Sequence, residues 1–217
     1  MSALLNAFMD LMHKGGPVMW PLLACSVIGL MLSFERMWFW LRTNGPASAD
    51  RVQRLGQTLR SGNAQLARQF IDRDSSVYGR VVAALLREKG SDAAAVAAVD
   101  AQRPRMERFM GTLSTIITAA PMLGILGTVT GLIQAFNILS DEGVSDPRAI
   151  SPAVAEALIT TAAGLVIAIG VLFPYNAFRA QLDRTLSRIE SLIAAVNEGQ
   201  EKNVPAAGET PAQPKSI

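Results

Sequence analysis

Residues 113–139 read LSTIITAAPMLGILGTVTGLIQAFNIL, with no ionisable side chain along the whole stretch. A helix needs roughly 20 mainly apolar residues to cross the hydrocarbon core of a bilayer, so this segment sets the class of the protein. Two more segments share its character. Residues 17–41 read PVMWPLLACSVIGLMLSFERMWFWL, and residues 150–178 read ISPAVAEALITTAAGLVIAIGVLFPYNAF, with Glu156 as the one ionisable residue of the latter. The rest of the 217-residue chain carries nearly all of its 20 basic and 18 acidic residues, so the 50% hydrophobic composition is concentrated rather than scattered. That distribution excludes a disordered chain and predicts an all-α integral membrane protein with three transmembrane helices.

In the first span Trp20 stands near one end and Trp38 and Trp40 near the other, and indole rings favour the headgroup layer. Glu35 and Arg36 then fall at the inner edge. Ala47-Ser48-Ala49 resembles a leader cleavage site, but Glu35, Arg36 and the bulky MWFWL segment intervene, which favours a retained span. Orientation follows from the basic residues. The segment 42–112 is rich in arginine from Arg42 to Arg108, whereas 140–149 holds only Arg148 beside Asp141, Glu142 and Asp146, and Arg179, Arg184 and Arg188 follow the third span. The positive-inside rule puts 42–112 and the C-terminus in the cytoplasm, and 1–16 and 140–149 outside. Asp50, Asp72, Asp74, Glu88, Asp92, Asp100 and Glu107 interleave with the arginines, which argues against a nucleic-acid partner.

The cytoplasmic segment reads as short amphipathic helices built on RVQRLGQTLR, AQLARQFIDR and VYGRVVAALLREK, with Asn63 and Ser76 as N-caps and Gly90 as a stop. The next helix starts at Ser91 or Asp92. With Pro104 its only breaker, it is expected to run on into the second span as a rod of about 45 residues and roughly 70 Å at 1.5 Å per residue. The third span also extends inward over 179–198, where Leu182, Leu186, Ile189, Ile193 and Val196 alternate spacings of four and three along one apolar seam. Its partner is either the extension of span two in the same chain or another subunit. Residues 199–217 have the polar, proline-rich character of a disordered tail. One cysteine, Cys25, and one histidine, His13, allow no intramolecular disulfide and suggest no metal site. GILGTVTG lacks the lysine of a phosphate-binding loop and lies in a span, and no nucleophile triad appears, so neither a cofactor nor an enzyme is expected.

Within the spans, Ala120, Gly124, Gly127, Thr128, Gly131 and Ala135 recur at spacings of three and four, a small-residue face that lets helices pack closely in lipid. Gly164 offers the same on the third span, and Pro121 is expected to kink the second. Thr128 can satisfy its own hydroxyl by bonding back to its helix. A carboxylate at mid-span costs about 2.5 to 3.5 kcal/mol on insertion scales, so Glu156 is expected to face a cavity or a bundle interior, unless it reaches the nearby outer interface by snorkelling. At about 100° per residue, Thr160 lies about 40° from Glu156 and Thr161 about 140° from it. One narrow pore face therefore cannot hold both Glu156 and Thr161: if one lines the lumen, the other turns to a neighbouring helix or the rim.

At GGPVMWPLLACSVIGLMLSFER, APMLGILGTVTGLIQAF and SPAVAEALITTAAGLVIAI followed by PYNAF, the chain resembles the MotA/TolQ/ExbB proton-channel family, and within it the three-span ExbB and TolQ members. The resemblance covers about two-thirds of the chain, counting span order and spacing. It implies a subunit of a pentamer in the bacterial inner membrane, with N-terminus periplasmic, surrounding two single-span partners of the ExbD or TolR type. The partner's membrane aspartate would carry the proton, and a TonB- or TolA-type protein would receive the work. The family's second-span pore threonine falls on Thr128, its EAL glutamate on Glu156 and its third-span threonine on Thr161. Two positions depart from the family pattern: Thr130 stands where tryptophan is common and Thr160 where alanine is usual. The different-class alternative is a passive membrane scaffold in which the glycines and Glu156 merely pack.

Overall fold

The computed structural model describes residues 9, 12, 14–62, 64–72, 74, 76–88, 91–142 and 147–203. Seven helices follow one another among them: α1 (Met19–Asn44), α2 (Pro46–Arg60), α3 (Ala64–Asp72), α4 (Val77–Arg87), α5 (Asp92–Met106), α6 (Met110–Glu142) and α7 (Pro147–Asn203). No strand occurs among the described residues, and α1, α6 and α7 are each long and apolar enough to cross a membrane. The protein is all-α with three candidate transmembrane helices.

The chain divides into two compact units, one of residues 1–39 and 108–180 and one of residues 40–107 and 181–217. In the first, a core of Met12, Val18, Met19, Leu22, Ala120 and Ala168 joins the start of α1 to the middle of α6 and α7. Its outward face is apolar: Phe34, Met122, Phe136, Val166 and Phe173 are all exposed. An apolar exterior is stable only where the solvent is itself apolar or another helix covers it.

Arg36 has surroundings that the sequence did not announce. Its side chain is 2% exposed, held by Glu35 at 2.6 and 2.9 Å and lying over the rings of Phe39 and Phe109 at 4.5 and 5.7 Å. Phe109 explains a second difference. The expected rod from Ser91 through the second span does not form, because α5 ends at Met106 with Glu107 as its cap, and Phe109 adopts φ +65° before α6 begins. A left-handed backbone is costly for a residue with a Cβ and is not signalled by an aromatic residue. The ring sits between cations, with Arg108 over it at 4.5 Å and Arg36 beyond, so cation–π attraction supports the turn.

In the second unit the caps follow the sequence where they are described. Ser76 accepts from the Gly79 amide and Ser91 from the Ala94 amide, each satisfying a free donor of a helix start. Asn63 and Gly90 lie outside the described residues. The Ala47-Ser48-Ala49 motif lies within α2, where the buried Ser48 hydroxyl returns to the Gly45 carbonyl at 2.7 Å.

The buried stripe on the far half of α7 runs through Thr185, Ile189, Leu192, Ala195 and Val196, so it shares Ile189 and Val196 with the expected seam, whereas Leu182, Leu186 and Ile193 are half-buried. First-loop helices of the same chain are among its partners: Leu192 packs at Gly56 of α2, and Gly199 passes so close to the Leu59 carbonyl that a Cβ there would overlap it. Gly199 is thus a contact point, and the helix continues through it to Asn203 instead of ending at 198. The expected tail beyond, 204–217, lies outside the described residues. A polar knot lies near the start of this half: Tyr78 donates to Asn44 Oδ1 at 2.7 Å, and Asn44 Nδ2 donates to Gln181 Oε1 and Thr185 Oγ1, both at 2.9 Å. Trp40 is 4% exposed and begins this second unit.

Candidate functional site

The predicted packing glycines all lie where α6 meets α7. A Cβ at Gly124 would stand 3.0 Å from Thr161 Cα, one at Gly131 2.8 Å from the Ala153 carbonyl oxygen, and one at Gly164 would overlap the Ala120 carbonyl. Gly127 faces Thr160, whose side chain fills the space that a Cβ would occupy. Where lipid supplies no hydrophobic drive, such backbone approach is what gives two helices their dispersion contacts. α6 stays one helix through Pro121.

This close approach places the hydroxyls. Thr161 Oγ1 crosses from α7 to donate to the Gly124 carbonyl of α6 at 2.9 Å, the acceptor that by helix geometry also serves the Thr128 amide. Thr128 donates to its own helix at Ile125 O, 2.6 Å, and Thr130 likewise to Leu126 O and Gly127 O at 3.1 and 3.0 Å. Thr160 is fully buried and donates to Glu156 O and Ala157 O at 3.2 and 2.9 Å. In each case the hydroxyl proton is spent on a carbonyl, which leaves the oxygen as an acceptor. Thr128 and Thr161 are only half-buried, so each keeps an acceptor oxygen that is not fully enclosed within the chain. Such an oxygen can receive a hydrogen bond from a protonated acid.

Glu156 meets a different segment. Its carboxylate lies against Gly16, in the turn before α1, and occupies the position that a Gly16 Cβ would take. Within this chain both residues meet neighbouring segments, Glu156 the turn before α1 and Thr161 the helix α6. Gly16 was not singled out by sequence reasoning. The GGP run at 15–17 was its only local signal, since its partner is far along the chain. Among the described residues no cluster of three or more histidine, cysteine or acidic side chains is arranged to hold a metal.

The sequence profile of the MotA/TolQ/ExbB proton channel family matches residues 66–191, from the first-loop helices to the far half of α7. The chain belongs to this family. The ExbB-like 1 protein of Synechocystis is 39% identical over 177 residues, covering 77% of this chain and 69% of that one. Biopolymer transport protein exbB1 of Vibrio cholerae is 29% identical over 89% of this chain and 88% of its own. The Tol-Pal system protein TolQ of Pseudomonas aeruginosa is 32% identical over 91 residues, 42% of this chain and 39% of that one. Family membership and the three apolar helices make this an ExbB-like, multi-pass protein of the inner membrane.

Proposed function

We propose that this chain is an ExbB-like subunit of a pentameric proton channel that uses proton-motive force, together with an ExbD-type single-span partner, to energise TonB-dependent transport across the outer membrane. The observation that carries the reading is the Thr161–Gly124 hydrogen bond. It holds the third-span threonine against the helix that also carries Thr128, and each hydroxyl, its proton spent on a carbonyl, keeps an oxygen able to accept. No aspartate lies in the apolar segments 113–139 and 150–178, so the proton carrier is supplied by the partner, and the two threonines receive its protonated acid. Glu156 acts as a polar contact or relay near the outer mouth, Thr160 wedges the helix pair, and the arginine-rich loop and C-terminus face the cytoplasm.

A TolQ-like role with TolR- and TolA-type partners is the second reading, favoured by the similarity to the Pseudomonas aeruginosa TolQ. Capture of an ExbD- or a TolR-type protein separates the two, and counting subunits in the purified complex tests the ring. A Thr128→Val, Thr161→Val pair and, separately, Glu156→Ala are expected to abolish proton-driven work while the ring still assembles. Normal work in assembled variants rejects the assignment and leaves the passive scaffold.

A further inference from the structure

Glu156 is the one carboxylate of the third span, and beside it lies a backbone turn. Gly16 has φ +64°, and its carbonyl accepts the Met19 amide at 3.2 Å, opening the first turn of α1. Pro17 follows, with its own carbonyl accepting from Trp20 at 3.4 Å. The turn is therefore fixed by a proline, a left-handed residue and two hydrogen bonds. Against it lies Glu156: a Cβ at Gly16 would overlap Oε1 and Cδ of the carboxylate and stand 3.2 Å from Cγ. Two separate demands fall on position 16, a backbone conformation that disfavours a side chain and a space already filled by another residue's functional group.

We infer that Gly16 is a positioning residue for Glu156, the turn at 15–17 forming a seat that holds the carboxylate at one place beside the third span. The inference rests on the reading of Glu156 as part of the proton pathway. Seating a long, flexible glutamate against fixed backbone removes rotamer freedom that it would otherwise retain, and polar groups in a pathway work only when held close to their productive geometry. The seat also joins the start of α1 to α7, so a shift of either moves Glu156.

The test uses the full chain assembled with its partner and reads proton-driven work against the amount of assembled complex. Gly16→Ala is expected to lower work about tenfold, because an atom's width of displacement takes a reacting group out of register. Gly16→Asn separates the two demands. Asparagine tolerates a left-handed backbone yet still collides with the carboxylate, so it is expected to lose work as Gly16→Ala does. The decisive variant is Gly16→Ala with Glu156→Asp, whose carboxylate is one methylene shorter. If the seat positions Glu156, adding Gly16→Ala to Glu156→Asp costs less than twofold; if the two losses multiply, the contact carries no coupling and the inference fails. Gly170→Ala, where an added Cβ meets nothing within 4 Å, serves as the unaffected control. Failure of assembly in Gly16→Ala that Glu156→Asp does not repair also overturns the inference, since it marks backbone strain alone. Full work in Glu156→Ala would instead remove the underlying functional reading, an outcome distinguishable from all of these.

Discussion

Gly127→Ala is the sharpest test of how α6 and α7 are held. In an open helix the change is favourable by about 1 kcal/mol, because glycine surrenders more backbone entropy than alanine. Here the new methyl would stand 2.5 Å from Thr160 Cβ and 3.1 Å from its Cγ2, against a comfortable carbon–carbon separation of about 3.5 to 4.0 Å. Thr160 cannot swing away, being fully buried and bonded to its own helix at two carbonyls. The helices must part by about 1 Å, an overpacking penalty of about 1 to 3 kcal/mol. Parting also stretches the nearby Thr161–Gly124 bond beyond useful length, for about 1 kcal/mol more. Overpacking wins over propensity, and the expected net loss is about 2 kcal/mol. Reversible denaturation of the purified chain in mixed micelles measures it, with Gly170→Ala as the open-site comparison and Thr160→Gly, Gly127→Ala as the relieved pair. A Gly127→Ala protein as stable as the parent, or more stable, would refute the close-packing argument.

Two further outcomes follow from the same geometry. Tyr78→Phe removes the hydroxyl that donates to Asn44 Oδ1 from a side chain that is 1% exposed; because Asn44 is half-buried and Arg188 also donates to its Oδ1 at 3.4 Å, a loss of about 1 kcal/mol is expected in the same denaturation assay. Arg36→Met removes a guanidinium packed on Phe39 and Phe109, for an expected loss of about 2 kcal/mol, together with faster proteolysis at 107–109 as the Phe109 turn loosens. Arg36→Lys is not expected to restore either property, because an ammonium lacks the planar fork that meets Glu35 through two nitrogens.

The three spans were legible because a bilayer demands long apolar runs, and the relation between Glu156, Thr160 and Thr161 was legible because helix geometry fixes the angles between neighbours. The break at Phe109 was not. It depends on cations brought to one ring from α1 and from the adjoining residue, and φ +65° at a phenylalanine has no local signature. Likewise, the alternation of Leu182, Leu186, Ile189, Ile193 and Val196 announced a stripe on this half of α7 but neither its centre, which lies on Thr185, Ile189, Leu192 and Val196, nor its partner, which depends on how Gly56 and Gly199 admit neighbouring atoms. Asn44, Gln181 and Thr185 resemble surface residues in sequence and become a part-buried knot only once Tyr78 arrives from α4. The same limit applies to Gly16, whose importance lies in a contact with Glu156 rather than in its neighbours in the chain.

Thr128 and Thr161 are expected to share a water-accessible, protein-enclosed flank of the assembled ring. Because Cys25 is the only cysteine, a Cys25→Ser chain assembled with its partner accepts one reporter at a time, Thr128→Cys or Thr161→Cys, with Phe173→Cys as a comparison at a 71% exposed apolar position. The account predicts that a membrane-impermeant thiol reagent labels 128 and 161 but not 173, and that a lipid-soluble quencher reaches a probe at 173 alone. Reporters at 128 and 161 that ignore the water-soluble reagent and are quenched from the acyl chains would contradict it.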